Sequence, residues 1–164
     1  MVPVTDGPDL GSFDCGVPPL NDYLKQYAGQ NHRSGVASTF VLVLREGAPT
    51  ALGYHTLSMA QVEYHSLPDH LKKGLPRYPI PAVRLARFAI DLNWRARGLG
   101  EILLVDAIQR SVAAARNVAA IYMLVNAKDD QAVKFYHHYG FEPIDDGTRT
   151  LLAPLDTLRR LFGR

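Results

Sequence analysis

The sequence predicts a single mixed α/β domain (α+β, on a mixed sheet) over residues 1–164, and three observations predict it. With 164 residues, 47% of them hydrophobic, the chain can bury one proper core and is better matched to one domain than to two. Strand-like and helix-like runs follow one another, most clearly from Val83 onward, where the order is strand, helix, strand, helix. No repeat, low-complexity tract or linker breaks that order.

Each element has a local reason. Pro18-Pro19 is tolerated in a first helical turn, and Leu20, Tyr23, Leu24 and Tyr27 recur behind it at helical spacing. Gly35 follows this helix, Val36 to Leu44 reads as a strand, Glu46-Gly47-Ala48-Pro49 has turn chemistry, and Leu52 to Ala60 completes a hairpin. From Gln61 to Ala82 the periodicity dissolves among Pro68, Pro76, Pro79 and Pro81, with one short helix expected around Leu67 to Lys73. A loop this long in a compact domain is more often functional than idle. Val83 to Asp91 reads as a buried strand. Leu99, Ile102, Leu103 and Ala107 mark a helix reaching Ala115, and Ala119 to Asn126 is the next strand. Asp129 or Asp130 can cap a helix whose Ala132, Phe135, Tyr136 and Tyr139 share a face, and Gly140 suits the position past its end. Short strands near Phe141 and over Thr148 to Pro154 precede a C-terminal helix, Leu155 to Phe162.

Composition excludes some chemistries. The lone Cys15 rules out an internal disulfide framework and a multi-cysteine zinc site, and reads as a small buried hydrophobe in a reducing compartment. No apolar run is long enough to span a bilayer, and the N-terminus lacks the basic and apolar regions of a signal peptide, so no membrane role and a cytoplasmic location are expected. His137 and His138 point about 100° apart on a helix and cannot pair at a metal, while His55, His65 and His70 are scattered, so no metal site is expected. A net charge of +2 decides nothing. The basic residues cluster, however: Lys72, Lys73 and Arg77; Arg84, Arg87, Arg95 and Arg97; Arg159, Arg160 and Arg164.

The sharpest motif is Arg95-Ala96-Arg97-Gly98-Leu99-Gly100, between a strand and a helix. Glycine permits close backbone approach, and the first amides of a helix have no internal acceptor, so they can receive a pyrophosphate beyond the N-terminus. Arg95 and Arg97 can add charge-assisted contacts. A glycine pair before a helix is also what an ordinary tight turn shows. No Lys-Ser or Lys-Thr follows the second glycine, and the spacing is too short for a dinucleotide fingerprint, which removes both nucleotide motifs.

The loop resembles the R/Q-x-x-G-x-G/A loop of the GNAT superfamily of N-acetyltransferases, and Phe135-Tyr136-His137-His138-Tyr139-Gly140-Phe141 is similar to the F-Y-x-x-x-G-F segment of that superfamily at the proper distance. The resemblance implies a GNAT fold, with a central twisted, mostly antiparallel sheet, two splayed parallel strands and flanking helices. It implies acetyl-CoA as co-substrate, gripped by Arg95 to Gly100. Backbone donors near Phe88, Ala89 and Ile90 would face the thioester carbonyl. Asn126, Ala132 and Phe135 would lie along the cofactor, and Tyr136 would be the general acid for the departing thiolate. Without the motif, Tyr136 would read as a core aromatic and Asn126 as a strand-end turn residue.

The similarity also reaches the front half. Phe13-Asp14-Cys15-Gly16, Leu20, Tyr23-Leu24, Gln30, Gly53-Tyr54-His55-Thr56-Leu57-Ser58, Leu75-Pro76-Arg77-Tyr78-Pro79 and Leu85-Ala86-Arg87-Phe88-Ala89-Ile90-Asp91 resemble the GNAT toxins of bacterial toxin–antitoxin pairs. That resemblance implies acetylation of the α-amine of aminoacyl-tRNA, a block on translation, a homodimer, and neutralisation by a ribbon-helix-helix antitoxin. An α-amine of pKa about 7.7 to 8.0 costs roughly 1 kcal/mol to deprotonate near neutral pH, against roughly 4 to 5 for lysine, so water can serve as base. Arg77, Arg84, Arg87 and Arg97 are the candidate tRNA contacts, with Lys72, Lys73 and Lys128 behind them. The rival readings are an acetyltransferase for a small amine or a protein N-terminus, and an acetyl-CoA-binding protein without turnover. The Leu155 to Arg164 segment is either an antitoxin contact or packed on the chain's own core.

Overall fold

The structure, a computed structural model, describes residues 1–45 and 49–163; Glu46, Gly47 and Ala48 of the expected turn, and Arg164, lie outside the described residues. The strands are β1 (Val2–Pro3), β2 (Ser38–Leu44), β3 (Thr50–Val62), β4 (Ile80–Ile90), β5 (Tyr122–Asn126), β6 (Glu142–Pro143) and β7 (Thr150–Pro154). The helices are α1 (Pro18–Asp22), α2 (Ala28–Ser34), α3 (Leu99–Ala114), α4 (Asp130–His138) and α5 (Leu155–Phe162). Among the described residues the sheet has seven strands in the order β1-β2-β3-β4-β5-β7-β6. The pairs β1–β2, β2–β3, β5–β7 and β6–β7 are antiparallel and β4–β5 is parallel, which is the mixed, mostly antiparallel sheet expected.

The chain forms two compact units, Met1–Ser58 with Ala86–Ala107, and Met59–Leu85 with Ile108–Arg164. Strands β3 and β4 and helix α3 each contribute residues to both.

In the first unit, Phe13, Cys15, Tyr23, Leu24, Ala28, Val41, Tyr54 and Ala89 form the core, and the rings of Phe13 and Tyr54 meet edge to face at 5.7 Å. The first helix is not regular. Between α1 and α2 a π-helical segment, Tyr23–Tyr27, inserts extra backbone per turn. That rotation buries Ala28 and leaves Tyr27 55% exposed, so the expected stripe through Tyr27 fails at its last member. Gly35 caps α2 at φ 78°, and Val36 and Ala37 donate to the Asn31 carbonyl, which starts β2 at Ser38, two residues later than expected. Gly53 is required by space: a Cβ there would stand 2.9 Å from the Ala89 carbonyl oxygen and 3.0 Å from Leu103 Cδ1. Two positions along β3, the fully buried His55 meets Asp106 of α3 with Nε2 to Oδ2 at 2.7 Å.

In the second unit, Val62, Leu67, Ile80, Ala82, Tyr122, Leu124 and Leu152 are packed together. The β4–β5 ladder runs from Ala82–Tyr122 to Leu85–Val125, and β4 continues beyond it to Ile90. The segment before β4 contains two short 3₁₀ turns, Tyr64–Ser66 and Asp69–Leu71, rather than one helix over Leu67 to Lys73. Pro68 is the reason: it lacks an N–H and drives the residue before it toward extended backbone. Leu67 is buried, and the Tyr122 hydroxyl donates to the Leu71 carbonyl at 3.2 Å, which holds this segment down. Helix α5 buries Leu155 and Leu158, and the Phe162 carbonyl accepts from Gln109 Nε2 at 3.0 Å. The inward-facing apolar side of the C-terminal segment therefore packs on its own unit.

Helix α3 follows the predicted span with one change of phase. Leu103, Leu104, Ala107, Ile108, Ser111 and Val112 are its buried face, whereas Ile102 is 49% exposed. The stripe is centred one residue later than the sequence pattern suggested.

Candidate active site

The glycine loop lies in the first unit, between β4 and α3. Asp91 ends the strand and caps the 3₁₀ turn Leu92–Trp94 by accepting from the Asn93 N–H at 2.8 Å. The chain then turns through Ala96 at φ 59° and Gly98 at φ 77° before α3 begins at Leu99. The left-handed region costs an L-residue roughly 1–2 kcal/mol, so Ala96 is held there by its surroundings, whereas Gly98 adopts it freely. A Cβ at Gly98 would meet nothing within 4 Å, so the glycine is demanded by backbone conformation and not by crowding. Left-handed turns at a helix start point successive N–H groups to one side, the arrangement that accepts an anion. Residues Arg95 to Gly98 are exposed and Leu99 and Gly100 half-buried, so the pyrophosphate of acetyl-CoA fits these residues both in access and in donor chemistry.

The two arginines of the loop have different surroundings. One Arg95 guanidinium nitrogen donates to the Cys15 carbonyl at 2.6 Å, so part of this side chain braces the loop. Arg97 lies over the Trp94 ring, 4.6 Å from its centroid, and remains exposed. Phe88, Ala89 and Ile90 occupy the stretch of β4 beyond the β4–β5 ladder, with Ala89 buried and the others half-buried.

The tyrosine lies in the second unit. Asp129 caps α4 by accepting from the Ala132 N–H at 2.8 Å, as the sequence suggested, so that amide is already occupied. Ala132, Phe135 and Tyr139 are half-buried beside Tyr136, and Gly140 ends the turn at φ 101°. Tyr136 is 6% exposed, with Phe135 and Phe141 edge to face at 5.3 and 5.9 Å. Burial raises its phenol well above the usual tyrosine range, so it keeps its proton throughout neutral pH. Asn126 is exposed at the end of β5 and accepts from the Thr150 hydroxyl at 3.3 Å.

The four candidate tRNA arginines are not equivalent. Arg77 and Arg84 belong to the second unit, the first exposed and the second half-buried, and Arg87 and Arg97 belong to the first. Arg87 stacks on the Tyr23 ring at 3.6 Å to the centroid and is half-buried. Lys73 and Lys128 are exposed, while Lys72 pairs with Asp69 at 3.2 Å and lies over the Tyr64 ring. Among the described residues no three His, Cys, Asp or Glu side chains gather as a metal site, and no helix is long and apolar enough to cross a membrane. Sequence reasoning missed Asp91 and Trp94. An Asp followed two residues later by Asn at a strand end is a readable turn cap, whereas the Trp94 platform under Arg97 has no local signal.

Residues 74–150 match the family of acetyltransferase (GNAT) domains. The chain is 35% identical over 160 residues to the tRNA-acetylating toxin of Mycobacterium tuberculosis (strain H37Rv), covering 98% of this chain and 94% of that protein. It is similar to the solved structure of AtaT complexed with acetyl-methionyl-tRNAfMet, with TM-score 0.88, 30% identity and coverage of 98% and 96%. It is also similar to a tyrosine-to-phenylalanine mutant of AtaT bound to the C-terminus of the antitoxin AtaR and acetyl-CoA, with TM-score 0.80, 27% identity and coverage of 95% and 91%.

Proposed function

Because the chain belongs to the GNAT acetyltransferases and, within them, to the tRNA-acetylating toxins, we propose that it acetylates the α-amine of an aminoacyl-tRNA, with Tyr136 as general acid. It is an acetyl-CoA-dependent enzyme. Acetyl-CoA, when bound, supplies an acetyl group activated as a thioester. The amides at the start of α3, from Arg97 to Gly100, receive its pyrophosphate, with Arg97 adding charge from its place on Trp94. Backbone donors of Phe88, Ala89 and Ile90 serve the carbonyl oxygen. Ala132, through its half-buried side chain, and Phe135 line the pantetheine side, with Asn126 at the strand end.

The observation that supports the catalytic assignment is the place of Tyr136 in the Phe135–Phe141 segment, on a helix capped by Asp129 and followed by Gly140. A phenol is protonated near neutral pH and can hand its proton to the departing thiolate as the C–S bond breaks. The incoming α-amine loses its own proton to water, since its pKa is close to neutral. The exposure of Arg77 and Arg97 supports contacts from both to tRNA phosphates, with Lys73 and Lys128 behind them. Arg84 is half-buried, and Arg87 is committed to Tyr23, so their share of that contact is smaller.

Charged tRNA in the cytoplasm is the substrate, and a ribbon-helix-helix antitoxin bound to a homodimer of the enzyme is its control. The relatedness to AtaT, which has been solved both with tRNA and with its antitoxin, supports this reading. Incubation with acetyl-CoA and charged tRNA should yield N-acetyl-aminoacyl-tRNA. Acetylation of polyamines or peptides, but never of charged tRNA, would overturn it.

A further inference from the structure

The Asp91 that ends β4 is the centre of a hydrogen-bonded clamp outside the residues so far assigned to the reaction. It is 5% exposed, and both carboxylate oxygens are in use: Oδ1 accepts from the Asn93 N–H at 2.8 Å and Oδ2 from the Asp14 N–H at 3.0 Å. The Leu92 N–H donates to the Asp14 carbonyl at 2.8 Å, so the Asp14 residue is gripped at both its donor and its acceptor. Arg95 takes the next carbonyl, that of Cys15. The Leu92 side chain then lies against Gly16, where a Cβ would stand 3.2 Å from Leu92 Cδ2 and where φ is +83°. Three consecutive residues of the N-terminal loop are thus held by 91, 92 and 95.

The same loop is tied to the first helix. The Asp14 carboxylate accepts from the Gly16 N–H at 2.8 Å and from Asn21 Nδ2 at 3.0 Å, and Asn21 Oδ1 accepts from the Cys15 N–H at 2.9 Å. A chain of short hydrogen bonds therefore runs from α1 through residues 14–16 to the backbone that enters the loop. Ala96 lies one residue beyond Arg95 in a strained left-handed conformation, and strain of that kind persists only where neighbouring contacts over-determine the backbone.

We propose that Asp91 and the Asp14–Gly16 loop it grips are positioning elements for acetyl-CoA, holding the 96–100 turn in its anion-accepting shape through Leu92 and Arg95. Both would act through the turn and not by contact with the cofactor. The inference rests on the assignment of that turn to pyrophosphate, and the test separates the two.

The test uses the sign of an electrostatic effect. Removing a carboxylate near an anion site tightens anion binding if only its field matters. A positioning role predicts the opposite. The Asp91→Asn amide keeps the shape but can offer an acceptor to only one of the two N–H groups. Calorimetric titration of the full chain should give an acetyl-CoA Kd raised about tenfold for Asp91→Asn, with kcat on charged tRNA within about twofold at saturation. The acetyl thioester of pantetheine, which has no pyrophosphate, should be used equally well by both proteins. Gly16→Ala, uncharged and remote from the turn in sequence, should raise the Kd in the same direction and serves alone if Asp91→Asn does not fold. Unchanged or tighter acetyl-CoA binding in the folded variants overturns the clamp. Equal use of acetyl-CoA and the pantetheine thioester by the unsubstituted enzyme would instead remove the pyrophosphate assignment.

Discussion

Tyr136 shows what burial does to a side chain whose proposed role is to give up a proton. Ringed by Phe135 and Phe141, its phenol is raised well above the ordinary value, and Tyr54 is raised in the same direction by burial. Tyr136→Phe should lower kcat by about 10²–10⁴ while leaving the acetyl-CoA Kd within about twofold, since the ring remains and only the proton is lost. Pre-steady-state and titration measurements on the same preparation check both halves. The raised values also set a pH limit on stability. An unfolded tyrosine ionises near about pH 10, whereas the folded one does not, so the folded state holds protons that the unfolded state releases. Stability from Tyr54 and Tyr136 is intact below about pH 10 and falls as the pH rises beyond it. A melting temperature that stays flat from pH 9 to 11 would contradict this.

At the scale of elements, helix ends do much of the positioning. Asp129 caps α4 through the Ala132 N–H, and Gly140 closes the other end, so the nine residues carrying Tyr136 are fixed at both termini. Asp129→Ala should cost about 1 kcal/mol, a fall in melting temperature of a few degrees for a chain of this size, with a modest loss of turnover. Thermal melts of the variant give the measurement, and no shift would mean the cap is redundant. These caps were readable because Asp and Gly act locally. The π-helical segment over Tyr23–Tyr27 was not, because apolar spacing looks regular on either side of one added residue. The turns at Tyr64–Ser66 and Asp69–Leu71 were half-readable: Pro68 marks the break, but the burial of Leu67 that anchors them depends on partners distant in sequence.

At the scale of the whole molecule, the contacts proposed for acetyl-CoA are mainly backbone N–H groups, and those proposed for tRNA are charged side chains. The two should therefore respond differently to salt. Raising salt from about 50 to 200 mM should increase the KM for charged tRNA steeply and that for acetyl-CoA far less, because each phosphate contact on the RNA releases counterions. Arg77→Ala should reduce the salt slope by about 1. A tRNA KM insensitive to salt would exclude a phosphate-tracking surface.

Residues 95–100 and 135–141, the proposed donor site, have local structure that was legible in the sequence, because a left-handed glycine, a helix start and an aromatic face are local demands. From β2 onward, the main strands and helices along the chain, the C-terminal helix included, were legible for the same reason, whereas the order of strands in the sheet was not. What the tertiary structure alone decided is how long side chains are spent. Arg87 lies on Tyr23 and Arg95 on the Cys15 carbonyl, while Arg97 stays exposed on Trp94. His55 meets Asp106 across 51 positions, and Asp91 meets Asp14 across 77. An arginine or a carboxylate has the same chemistry wherever it stands in the sequence. Only folding determines which partner reaches it first, and therefore which charges hold the loop in shape and which remain to meet a substrate.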